Sequence, residues 1–228
     1  MNIRFTVTLA LLLALATVSQ ATIIEFDGMA GNTNTTIPTT FGSNVSSNIA
    51  GATVSNGATT NIALAWAGGG PKGWEVYVGG SYWAAMEDSS GKIGQMEYPT
   101  AASPNTITFT VGADATLKLN SVDIGMATDK HDTYYWDVTI SEVGGAEVFS
   151  TLTAAMDGDG SSGVKAMTVP LNYTGTLGTD YVLAFNDVDG LGNDTIDTNG
   201  GAIDNLSFNQ IPDPPVDPDP PVDPDPPV

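Results

Sequence analysis

The chain contains no cysteine, so no disulfide can brace it and no lipid can be attached through an N-terminal cysteine. Cations are almost as scarce. Six Lys and Arg face 26 Asp and Glu, for a formal net charge of −20, and Arg4 is the sole arginine. Nucleic acid and anionic membrane surfaces both require a basic patch, so both are poor partners, and no nucleic-acid binding is expected. There is one histidine, His131, in the polar run Thr128-Asp129-Lys130-His131-Asp132, which reads as a solvated turn. A Ser-His-Asp triad would have to use it, and no G-x-S-x-G elbow accompanies it. Phosphate-binding loops, zinc-ligand spacings and dinucleotide fingerprints are also missing. Long helical periodicity is absent, and only one apolar run is long.

That run lies at the start. Arg4 supplies a positive charge, Phe5 to Val18 is mostly apolar with the core TLALLLALATV, and Ser19-Gln20-Ala21 offers small residues for cleavage. Too short to span a bilayer comfortably, it reads as a signal peptide over residues 1–21. The remaining chain is expected to be exported, secreted or held at the cell surface, without membrane insertion after cleavage. A bacterial secretory route fits. Without disulfides, such a chain depends on its core or on metal ions.

Residues 22–211 have one texture, rich in Gly, Thr, Ser and Asn, and their length suits a single β domain. From Pro212 the chain reads PDPPVDPDPPVDPDPPV. Proline at this density favours polyproline II, and the aspartates repel one another, so 212–228 reads as a semi-rigid linker or tail, expected to be truncated inside its repeat.

Strand signals fill the domain. Candidates are 22–26, 61–67, 74–78, 105–111, 116–126, 134–143, 147–154, 164–171, 180–185 and 202–208. In Thr106-Ile107-Thr108-Phe109-Thr110-Val111 the apolar residues share one face, as Trp136, Val138 and Ile140 do further on. This period of two, punctuated by Gly, Asn and Asp turns, predicts an all-β fold: an antiparallel β-sandwich of jelly-roll type.

Twenty of the acids are Asp and six are Glu. Aspartate serves turns and calcium sites alike. In Ile203-Asp204-Asn205-Leu206-Ser207-Phe208 an acid sits inside an apolar strand, where burial is unfavourable unless a cation or a donor offsets the charge. First and last strands of a jelly roll are often neighbours, which would bring Glu25 and Asp27 towards Asp204. Calcium takes six to eight oxygens and suits such a cluster; an Asp bonded to backbone N–H groups at a strand edge is the alternative. Two further acidic loops compete. Asp157-Gly158-Asp159-Gly160-Ser161 lacks the glycine and glutamate of an EF-hand, and NDVDGLGNDTIDTNGG over 186–201 offers Asp187 and Asp189 on one side of a tight loop.

The opening Phe26-Asp27-Gly28 and the closing Ile203-Asp204-Asn205-Leu206-Ser207-Phe208 together resemble jelly-roll modules of the galactose-binding-like type, including carbohydrate-binding modules and MAM-like domains. The domain also resembles exported bacterial proteins in which a phrase like AIDNLSFNQIP leads into a Pro-Glu-Pro sorting tail, a place taken here by Ile211-Pro212-Asp213-Pro214. The resemblance implies a structural calcium held chiefly by Asp204, with Asp27 or Glu25 contributing, and polysaccharide or a cell-surface glycan as partner.

Sugar faces stack on flat rings. Residues 66–83 carry Trp66, Trp74, Tyr77, Tyr82 and Trp83 in a glycine-rich setting, and Tyr134-Tyr135-Trp136 forms a second cluster. Most sandwich tryptophans are core residues. Alternation puts Trp74, Val76 and Val78 on one face of their strand and Glu75 and Tyr77 on the other, and puts Tyr135 opposite Trp136. Tyr77, Tyr82, Trp83 and Tyr135 are thus the expected surface platform. Glu75, Glu87 and Glu97 could be nominated as a glycosidase pair, but any acidic chain offers such pairs. The expected function is a secreted non-catalytic module, with a structural or adhesive surface protein as the alternative and a polysaccharide-active enzyme ranked third.

Overall fold

The computed structural model describes residues 21–30, 34–54, 58–68, 73–78, 86, 91–96, 103–126, 133–157, 164–188 and 201–212. Among them there are only strands and turns: β1 (Thr22–Ile24), β2 (Thr35–Thr36), β3 (Ala52–Val54), β4 (Ile62–Ala67), β5 (Trp74–Val78), β6 (Lys92–Met96), β7 (Asn105–Val111), β8 (Ala115–Met126), β9 (Tyr135–Glu142), β10 (Glu147–Leu152), β11 (Ala166–Thr174), β12 (Tyr181–Val188) and β13 (Gly201–Pro212). They form two sheets. The larger runs β11-β8-β13-β6-β5-β2, with β1 also on β13 and β3 on β1; the smaller runs β10-β9-β12-β7-β4. Every strand-to-strand pairing is antiparallel.

The sheets pack through the apolar half of each alternating strand. In β7, Ile107, Phe109 and Val111 are buried while the threonines between them face outward. In β9, Trp136, Val138 and Ile140 are buried and Tyr135 is not. The all-β sandwich expected from period-two alternation is what forms. A chain of rings sews the two layers together. Trp66 of the smaller sheet meets Trp74 of the larger edge-on at 5.1 Å, Trp74 meets Phe185 at 5.8 Å, and Phe109 meets Phe208 at 5.4 Å. Such pairs add to simple area burial. The buried indoles also find acceptors: Trp66 donates to the Phe41 carbonyl at 2.8 Å and Trp74 to the Ala67 carbonyl at 3.1 Å. All three described tryptophans are core residues, as the composition of sandwiches predicts.

Two glycines make room for core rings. A Cβ on Gly94 would lie 2.5 Å from the Phe26 ring, and one on Gly201 would lie 2.0 Å from Trp136. Strand β6, KIGQM, carries no alternation signal of its own; it is a strand because Gly94 fits beneath Phe26 and because β5 and β13 flank it.

Candidate functional site

Strand β1 pairs antiparallel with β13, Ile24 opposite Leu206 and Thr22 opposite Phe208, so the two ends of the folded part do lie side by side. One edge of β13 changes partner along its length. Gly201 to Ile203 pair with β6, whereas Leu206 to Phe208 pair with β1. Asp204 and Asn205 occupy the gap between those partners. Asn205 takes a left-handed φ of 48°, which a short polar side chain tolerates, and the ladder to β8 bulges there.

The end of β1 turns into the same gap. Glu25 and Phe26 both donate their N–H to the Gly51 carbonyl at 3.0 Å. Phe26 has φ 54°, a conformation strained for an aromatic residue, and its fully buried ring, stacked on Phe41 at 6.0 Å, holds it there. Asp27 accepts the Lys92 N–H at 2.8 Å, capping the start of β6, while the Glu25 carboxylate accepts the Thr53 hydroxyl. Asp27 therefore caps the rim of the gap, whereas the Glu25 carboxylate turns to β3, on the side of β1 away from β13.

Asp204 is 1 % exposed. Its cross-strand partner in β8 is Asp123, whose carboxylate accepts Thr168 Oγ1 at 2.5 Å and Asn205 Nδ2 at 2.9 Å. Two carboxylates directly opposite one another repel, and the more so when one is buried. Asp123 escaped the sequence reading because this pairing depends on register across 81 residues of chain. Asp187 lies elsewhere. It sits in β12 opposite Trp136, 2 % exposed, on the smaller sheet, so the structure does not bring it to Asp204. Asp189 lies outside the described residues. Among the described residues no three acidic or histidine side chains gather closely enough to hold a metal.

The outer face of the larger sheet extends this site. One cross-strand row runs Glu75, Gln95, Ala202, Gly125, Ala166; Tyr77 and Ile93 pair in the next row, where Asp204, Asp123 and Thr168 also stand. Ile93 and Ala202 form a small apolar cluster, separate from the main core, with Tyr77 and Met86 against it. Alternation correctly puts Glu75 on this face with Tyr77, but Glu75 is 4 % exposed and Tyr77 half-buried, so this part of the face is covered. Towards Asp123, Thr168 and Asn205 it opens to solvent.

Of the expected aromatic platform, Tyr82 and Trp83 lie outside the described residues. Tyr77 is on the outer face of the larger sheet and Tyr135 on the outer face of the smaller, so these two belong to opposite surfaces. The smaller sheet's outer face otherwise carries small neutral side chains on three strands: Ala63 and Ala65 of β4, Thr106, Thr108 and Thr110 of β7, Val182 and Ala184 of β12.

No protein-family model matches the chain, and no curated protein does. Some solved structures are similar over part of it. An arabinose-bound MgGH51 α-L-arabinofuranosidase aligns with 60 % of this chain and 22 % of its own, at 13 % identity and a TM-score of 0.37. The CBM22-1–GH10 modules of the Clostridium thermocellum endo-1,4-β-D-xylanase 10B, complexed with xylohexaose, align with 60 % and 24 %, at 9 % identity and 0.35. The enzymatically active domain of bacteriophage CBA120 tailspike protein 4 aligns with 67 % and 20 %, at 11 % identity and 0.32. The chain thus spans about a quarter or less of each of those proteins, and the function has to be read from its own residues.

Proposed function

We propose that this chain is an exported, non-catalytic β-sandwich module that binds polysaccharide on the outer face of its larger sheet and uses calcium as a structural ion. The carrying observation is the composition of that face. Half-buried Tyr77 supplies a flat ring at the covered end, and Asp123, Asn205 and Thr168 supply acceptors and donors for hydroxyls at the open end. Sugars are recognised by this combination of stacking and neutral or anionic hydrogen-bonding groups. The acidic, arginine-poor composition favours a neutral glycan over a polyanion.

Pull-down on insoluble polysaccharides and glycan arrays tests the reading. The chain is expected to bind, and Tyr77→Ala is expected to weaken binding at least ~10-fold, the loss of about 1.4 kcal/mol of stacking. Tyr82→Ala and Trp83→Ala are expected to do the same with the fold retained. A folded chain that retains no neutral polysaccharide would end the proposal.

The calcium half rests on the opposed Asp204 and Asp123. A cation would turn that repulsion into a bridge, with Asp27 at the rim of the same gap. Adding calcium after chelation is then expected to raise the melting temperature, since a ligand that binds only the folded state stabilises it. Asp123→Asn discriminates. It should abolish the calcium-dependent rise if a cation bridges the pair. Without a cation, it should relieve repulsion and raise the melting temperature in chelator.

A further inference from the structure

The chain has seven methionines and no cysteine, so a thioether is the sulfur that an oxidant meets first. Met29, Met96, Met126 and Met156 are buried, at 7 % exposure or less. Met86 and Met167 are half-buried. Met167 stands opposite Ile124 in β11 and packs on the main core. Met86 is placed differently. It packs outside the main core, on the outer face of the larger sheet, against Ile93 and Ala202.

Its seat is a notch made by Gly125. A Cβ built on Gly125 would collide with Met86 Sδ and Cγ, so the thioether fills the space that any other residue's side chain would take. The Ala166 Cβ, 3.5 Å from the same point, bounds the notch on the β11 side, and Ala202 is the cross-strand neighbour on the β13 side. Ile93 and Ala202 are both 0 % exposed although they stand on the outer face, and Met86 and Tyr77 are the described side chains packed on them. An uncharged, polarizable sulfur suits such a place. Gly125 lies between two antiparallel ladders, so its N–H and C=O point along the sheet and not up at the sulfur. Ala166, Ala202 and Ile93 have no side-chain donor.

We infer that Met86 is an oxidation site whose sulfoxide leaves the Gly125 notch and opens the covered end of the outer face. The oxidant is a peroxide. The sulfur lone pair attacks one peroxide oxygen, the O–O bond breaks and an S–O bond forms; with hydrogen peroxide, proton transfer lets the other oxygen leave as water. Sulfur loses two electrons and the peroxide gains them. The product sets a strong acceptor against Ile93 and Ala202, where burial without a donor is unfavourable, while the half-buried position of Met86 keeps water within reach. The consequence for binding rests on the glycan reading of this face. With Met86 lifted, Tyr77 and the Ala202, Gly125 and Ala166 row join the open end at Asp123, Thr168 and Asn205, and retention on polysaccharide rises.

The test treats the full chain with a small excess of hydrogen peroxide and maps the added oxygen by peptide mass spectrometry. Met86 is expected to gain one oxygen while Met29, Met96, Met126 and Met156 stay reduced. Opening is read independently of any ligand, by nitration of Tyr77 with tetranitromethane, which should speed up several-fold after oxidation. Met86→Leu keeps the apolar fill and has no sulfur, so Tyr77 should stay protected through the same treatment. Met86→Gln is polar and of similar length, and should expose Tyr77 without oxidant. Resistance of Met86 to peroxide in the folded chain overturns the inference. So does an oxidised Met86 that leaves Tyr77 nitration unchanged, or an equal gain in the Met86→Leu chain. Retention on polysaccharide is scored last and should rise on oxidation of the unmodified chain but not of Met86→Leu. An untreated chain that retains no polysaccharide defeats the glycan reading, while the nitration result still decides the Met86 site. A chain that binds, with retention unmoved when Tyr77 is exposed, overturns the link between the two.

Discussion

The outer faces of the two sheets are built by the same alternation, yet they differ in chemistry. The larger sheet carries Glu75, Tyr77, Gln95, Asp123, Asp204 and Thr168 on its outer side. The smaller carries mostly alanine, threonine and valine, with Asp137 and Glu147 as acids on its described strands. Alternation decides only that every second residue leaves the core. What those residues can do depends on which of them register sets side by side. On the larger sheet it sets two carboxylates against each other in one row with an aromatic ring; on the smaller it sets small side chains into a plain surface.

The largest expected effect tests the inside-to-outside difference from which both faces follow. Trp136→Ala removes a fully buried ring that lies against Gly201 and is expected to cost ~3–5 kcal/mol in denaturant unfolding. Tyr135→Ala, one residue away on the outer side, should cost less than ~1 kcal/mol. Equal losses would show that the smaller sheet's outer face is not a surface.

A second, smaller effect separates the two outer faces from each other. Asp123→Ala and Thr108→Ala lie on opposite sides of the sandwich. Retention on polysaccharide should fall several-fold for the first and stay unchanged for the second. Equal loss would mean that binding is not confined to the larger sheet.

The smallest effect concerns a contact that spans both sheets. Tyr173 of β11 and Tyr181 of β12 meet edge-on at 5.4 Å, and Tyr181 Oη accepts the Thr176 N–H at 2.7 Å. Burial, reinforced by a hydrogen bond to Tyr181 and by the charge of Glu142, pushes the Tyr173 phenol well above its ordinary value. A group with a raised folded value stabilises fully below its unfolded value, about 10, and loses that contribution as pH rises. Melting temperatures should therefore decline above pH ~10, and Tyr173→Phe should flatten part of the decline. An identical alkaline decline in the variant would remove Tyr173 from the account.

Ten strands were legible because their apolar residues recur with period two. Strands β5 and β7 match the expected ranges residue for residue, and β8, β9 and β12 differ by a few residues at one or both ends. Strands β2, β3 and β6 were not. Two or three residues carry no periodicity, and β6 owes its place to Phe26 packing over Gly94, a contact across 68 residues of chain. Within the site, Asp204 announced itself as an acid inside an apolar strand. Asp123 did not, because an aspartate in a half-polar strand looks ordinary until register sets it opposite another. Glu75 and Tyr77 were assigned the right face, but their burial depends on what lies over them.

By itself the sequence determined the class of fold and the core residues of its longer strands, because hydrophobic alternation is local and a buried charge is conspicuous against it. Only the tertiary structure decided that Asp204 faces Asp123 and that Tyr77 and Tyr135 part to opposite surfaces. Each of those is a relation between strands, and hydrogen-bond register, which no single strand encodes, sets them both.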